Sequence, residues 1–180
     1  MKKTAGFLKF ACSLTMFFEV IVGIFVAFVF GVILLIKDFS QFSDKTGGAI
    51  TVSGEALTPE QLAALKPNLL VAFGFALAAI VFAFLGTSKF RKALTECKKE
   101  TPFSDASVQA IKASARYEVI GGIVGIIGAL VSSVMGSGIQ INGNSLVSSM
   151  NTIHLSFLVY ACEKYLLYHI ARYGNSLEKR

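Results

Sequence analysis

Residues 14–36 read LTMFFEVIVGIFVAFVFGVILLI, a run of 23 positions broken by one charge, Glu19. Residues 68–85 and 119–137 carry no charge, and 146–171 carries only Glu163 and Lys164. A bilayer core takes roughly 20 predominantly apolar residues per helix. The four runs meet or approach that length and predict four transmembrane helices, over about 13–36, 67–87, 117–137 and 146–170. A buried helix of a soluble bundle would keep a polar stripe; the run IVGIFVAFVFGVILLI has none. Lys2, Lys3 and Lys9 flank the first run as the basic end of a secretory signal would. The apolar stretch exceeds the usual signal core of about 7–15 residues and no A-x-A site follows, so it reads as an uncleaved span.

The ends of the helices are also legible. Thr58-Pro59-Glu60-Gln61 has an N-cap threonine, Pro at the first helical position and Gln two further on, which starts the second helix ahead of its apolar run. Pro67 then falls at the membrane interface as a candidate kink. Beyond the second run, Phe90, Leu94 and Cys97 continue a helical apolar line. Thr101-Pro102-Phe103 breaks it, Ser104 caps the next helix, and Val108, Ile111, Ala115 and Val119 resume the line. Residues 87–116 are thus expected to form a helical hairpin that projects from the membrane.

Charge turns these spans into a topology. Overall 54% of the chain is hydrophobic and 16% charged, with net charge +6, against about 25% charged in soluble domains. Fourteen of the 17 Lys and Arg fall at the N-terminus, in the central hairpin or near the C-terminus; only Lys37, Lys45 and Lys66 lie on the other side. The positive-inside rule places both termini and residues 87–116 in the cytoplasm. The same asymmetry favours anionic lipid as a partner. It does not call for nucleic acid, since no base-stacking or recognition-helix pattern accompanies the basic centre. Cys12, Cys97 and Cys162 all fall toward the reducing side and read as reduced, small apolar side chains.

The two halves repeat one phrase. GGAITVSGEAL at 47–57 aligns with GSGIQINGNSL at 136–146, with Gly47, Ile50, Gly54 and Leu57 facing Gly136, Ile139, Gly143 and Leu146. Each half runs in-to-out and back, so the halves read as parallel repeats about an axis along the membrane normal. Apolar and polar residues alternate in both phrases, which predicts strands near 49–53 and 138–142. Paired across the axis, they would make a two-stranded β-cap on the outer surface. The expected fold is therefore an all-α membrane protein in one domain, 1–180, of four spans with a small cap. Small residues recur every four positions at Gly23, Ala27 and Gly31 in span one and at Gly121, Gly125 and Ala129 in span three. Such stripes let helices approach closely in lipid. They predict that spans one and three cross near the axis, with a homo-oligomer face as the other use of the stripes.

The stretch FRKALTECKKETPFSDASVQAIKASARYEVIGGI, residues 90–123, and the closing ARYGNSLEKR resemble a bacterial family of four-span membrane proteins of unknown function. The shared features are a basic helix, a Pro-Phe-Ser turn at 102–104 and an aromatic-Gly-x-x-Leu ending. The resemblance implies a bacterial inner membrane and a regulatory or accessory role, because members often lie beside small helix-turn-helix regulators. It implies no active site.

Charges inside spans are functional candidates by default. Glu19 lies six residues past Ser13, roughly 9 Å deep if Ser13 marks the boundary. Glu163 and Lys164 lie at a similar depth in span four, and Arg116 and Glu118 sit at the inner mouth of span three. Together they predict one polar layer, either an interhelical clasp or a gate. His154 is a lone histidine, too few ligands for a metal. GGIVGIIG lacks the lysine of a phosphate loop. No catalytic, metal or cofactor set is credible. Three functions remain: a non-enzymatic regulatory, accessory or immunity-type protein docking a partner through Lys89, Arg91, Lys92, Lys98 and Lys99, a small transporter or channel working through Glu19, Glu163 and Lys164, and, last, a membrane enzyme, for which no nucleophile, metal set or general-base pair is present.

Overall fold

The computed structural model describes the backbone of residues 2–36, 51–52, 55–56, 59–97, 104–135, 140–141, 144–145 and 148–178, and the side chains of 6–36, 65–97, 104–135 and 159–177. Four helices dominate: α1 (Lys2–Leu35), α2 (Pro59–Glu96), α3 (Asp105–Met135) and α4 (Ser148–Glu178). At 34, 38, 31 and 31 residues they run roughly 45–57 Å. That is well beyond a hydrocarbon core of about 30 Å. α2 begins at Pro59 and runs through Pro67 without a break in its helical assignment. Ser104 caps α3 as expected: its Oγ accepts the Ser107 N–H at 3.3 Å, and its carbonyl accepts the Val108 N–H at 3.0 Å.

α1, α2 and α3 are long and apolar enough to cross a membrane. α4 is not among the candidate spans found in the described residues. Among its described side chains, 159–177, Glu163, Lys164 and Arg172 interrupt the apolar run, and residues 148–158 of the expected span lie outside them.

Large apolar side chains face outward in quantity. Phe7, Phe10, Phe17, Phe25 and Phe28 of α1 are each more than half exposed, and so are Leu130 and Val134 of α3. α1 turns only a narrow line inward, through Glu19, Gly23, Val26, Phe30 and Ile33. Those spacings of three and four hold one face of a helix.

The helices pack in series: α1 on α2, α2 on α3 and α3 on α4. No extensive contact joins α1 to α3 among the described residues, so the expected crossing of spans one and three is corrected. The small stripe of α3 packs on α2 instead. Gly121 lies against Phe82 and Gly128 against Phe75, so closely that a Cβ would stand 3.1 and 2.4 Å from their Cβ atoms. Gly125 and Ala129 are buried along the same seam. In α1, Gly23 does meet Ile80 of α2, with a Cβ there 3.4 Å from Cγ2. Ala27 is exposed, and a Cβ on Gly31 would touch nothing within 4 Å.

The echoed phrases do not pair with each other in the register found. Strand β1 (Thr51–Val52) pairs antiparallel with β2 (Glu55–Ala56), and β3 (Gln140–Ile141) with β4 (Asn144–Ser145). Each phrase pairs within itself rather than with its echo. A local hairpin satisfies its backbone groups over a few residues of chain and avoids the loop-closure entropy of a cross-axis pair.

Candidate polar site between the helices

Three of the five charged residues named above, Glu19, Glu118 and Lys164, line one cavity. Glu118 is buried, 5% exposed, on the inner face of α3. It can be there because α2 offers Gly86 opposite: a Cβ at that position would meet Glu118 Cγ at 3.1 Å. One helical turn earlier, Ser114 Oγ donates to the Gly86 carbonyl at 2.7 Å and holds α3 to α2 at this level. From α4, Lys164 Nζ donates to Glu118 Oε1. The same ammonium lies 4.9 Å from the centroid of the Phe90 ring, within cation–π range.

From α1, Glu19 Oε1 accepts a hydrogen bond from Thr87 Oγ1 at 2.9 Å. The second oxygens of both carboxylates, Glu19 Oε2 and Glu118 Oε2, are buried and have no hydrogen-bond partner among the described residues. All of these groups line one cavity of about 380 Å³. Cys12 and Thr15 complete its α1 wall, Ala83 and Phe90 its α2 wall, and Tyr160 stands beside Lys164 on α4. α1 and α4 contribute opposite walls without packing extensively on each other.

Of the predicted cluster, Glu19, Glu118 and Lys164 come together. Arg116 and Glu163 do not: both are exposed. Each is separated from its buried neighbour by one or two positions, which swings a side chain about 100–200° round a helix. Thr87 was missed in the sequence. Its only signal is its place next to Gly86, at the end of the uncharged run where a hydroxyl is the first polar group available.

Beyond this layer the charged end of the molecule is a three-helix unit. Ala93 of α2, Val108, Ala110 and Ile111 of α3 and Ala171 of α4 form a small core with Tyr168 against it. Cys97 Sγ lies 3.3 Å from Ser107 Oγ, joining α2 to α3. Lys112 Nζ stands 5.4 Å from the Tyr168 centroid, and Asn175 Nδ2 donates to Asp105 Oδ1 at 2.5 Å, joining α4 to α3. Arg91 and Lys92 are exposed on the outside of this unit and Lys89 is half-buried; Lys98 and Lys99 lie outside the described residues, as does the side chain of His154. Among the described residues no group of three or more His, Cys, Asp or Glu gathers as a metal set would.

Comparison with known protein families, curated proteins and solved structures found no match. The resemblance to a bacterial four-span family therefore keeps only the residues that suggested it.

Proposed function

We propose a non-enzymatic integral membrane protein that crosses the bacterial inner membrane four times, keeps both termini in the cytoplasm and acts as a regulatory or accessory subunit. Its docking element is the basic face of the α2–α3 hairpin. One observation supports this above the others. Arg91 and Lys92 are exposed while the next two residues, Ala93 and Leu94, are buried. The cations thus stand on a packed platform rather than a loose loop. Pre-organisation of this kind lowers the ordering cost of binding. α4 supplies the fourth span, and the two β-hairpins lie over the outer ends of the helices.

Charge reversal tests the reading. With Arg91, Lys92, Lys98 and Lys99 all changed to Glu, the partner that co-purifies with the native protein from its own membranes is lost, while the variant still inserts. Retention of every partner by that variant removes the proposal. Cysteine labelling from the cell exterior tests the topology: position 142 reacts and position 98 does not.

A second reading is favoured by the cavity itself. A small transporter or channel would need polar groups facing a void between spans, and Glu19, Glu118 and Lys164 do so. Its third expected member, Glu163, is turned away. Uptake assays in proteoliposomes with Glu19→Gln decide it: unchanged flux through a folded variant excludes this use of the layer.

A further inference from the structure

Glu19 stands at a junction of two openings. On one side it lines the polar cavity with Glu118 and Lys164. On the other it forms the inner end of a groove of about 360 Å³ between α1 and α2. The rest of that groove is apolar, with Gly23 and Ala27 on one wall and Leu77 and Ile80 on the other.

Charge decides what can occupy the junction. The cavity holds two carboxylates and one ammonium. Lys164 is committed to Glu118, and among the described residues Glu19 receives only the neutral Thr87 hydroxyl, with Oε2 buried and unpartnered. A carboxylate out of water is costly unless it is paired. The site therefore selects a cation. The groove decides the rest of the ligand. Glu19 to Ala27 is eight helical steps, about 12 Å. Antiparallel α2 matches it with Leu85 to Leu77. An extended chain of roughly ten carbons has that length. Small side chains at Gly23 and Ala27 keep the channel open along the lipid-facing side.

The geometry points to a binding site for an amphiphilic monocation: one ammonium head against Glu19 Oε2 and an unbranched apolar tail along the α1–α2 groove. This rests on the second reading above, in which the polar layer handles a solute, and names the class of that solute.

The test uses the full-length protein in nonionic detergent with decyltrimethylammonium as the probe, read by equilibrium dialysis. Wild type binds it saturably, near one per chain, and decyl glucoside, which has the tail without the charge, does not compete. Glu19→Gln weakens binding roughly tenfold or more, the loss expected when a charged partner is removed. Ala27→Phe sits on an exposed position and fills the groove without touching the carboxylates; it weakens decyltrimethylammonium several-fold and leaves helicity and elution unchanged. No saturable binding by wild type overturns the site, and so does equal binding by a folded Glu19→Gln. Equal binding by Ala27→Phe overturns the groove as the tail's seat. Proteoliposome uptake of the same cation is measured separately. Binding without uptake keeps the site and removes the transport reading; uptake that ignores Glu19 keeps transport and removes the site.

Discussion

If the echoed phrases marked two parallel repeats, the α2–α3 seam and the α1–α4 seam would be equivalent. A two-fold axis relating two parallel hairpins carries α2 onto α4 and α3 onto α1, and so carries one seam onto the other. The molecule does not obey it. The α2–α3 seam is sealed by Gly86, Gly121 and Gly128 sitting against Glu118, Phe82 and Phe75. Among the described residues the α1–α4 side has no comparable packing and holds a cavity instead. Residue size explains the difference. α3 turns glycines and serines toward α2, and Gly121 and Gly128 each let a large side chain of α2 lie directly on the α3 backbone. Toward the cavity, α1 and α4 present Cys12, Thr15, Glu19, Tyr160 and Lys164. Side chains of that bulk and polarity hold helices apart. A likeness between two phrases is thus not a likeness in packing, and the looser side opens into a polar void lined by all four helices.

The largest expected break of this contrast comes at the buried ion pair. Lys164→Ala leaves Glu118 out of water with no partner and is expected to cost about 3–5 kcal/mol, seen as a lowered Tm in detergent. Adding Glu118→Leu removes the stranded charge and recovers most of the loss; a double variant as unstable as the single one would show that the pair is not what holds α4. Next is the sealed seam. Gly128→Ala drives a Cβ to within 2.4 Å of Phe75 Cβ; because that atom is anchored to the α2 backbone, the helices must separate, at about 1–3 kcal/mol. An unchanged melting temperature would mean that the seam is looser than described.

Smaller effects sharpen the picture. Ser114→Ala and Thr87→Val each remove one interhelical hydrogen bond. Such bonds average about 0.6 kcal/mol within membranes, so each variant should melt only slightly lower. Thr87→Val also strips Glu19 of its described hydrogen bond and is expected to change decyltrimethylammonium affinity more than it changes stability. Last is Gly31→Ala, the control. With no atom within 4 Å of the new Cβ, it should be neutral or stabilise α1 by up to about 1 kcal/mol. A clear destabilisation there would reveal a helix seated against α1 at that level.

Three spans and the capped start of α3 were legible because each depends on residues near one another in the chain. Residues 14–36 exclude water wherever they lie, and Ser104 caps α3 through residues three and four positions away. The polar site was legible in kind, since charges at 19, 118 and 164 are conspicuous in apolar surroundings. Its membership was not. Choosing Glu118 over Arg116, or Lys164 over Glu163, needs the rotation of each helix about its axis, and that is fixed by the partner's surface. Thr87 was illegible for the same reason, being one hydroxyl among many until α1 brings Glu19 beside it.

The sequence by itself determined the apolar helices, the basic end and the capped start of α3, all of them properties of single stretches of chain. Tertiary structure alone decided which helix α3's glycines meet, that the echoed phrases close locally, and that α1 and α4 part around two half-satisfied carboxylates. Hydropathy is summed along a segment, whereas a seam is the fit of two surfaces whose residues stand far apart in the chain.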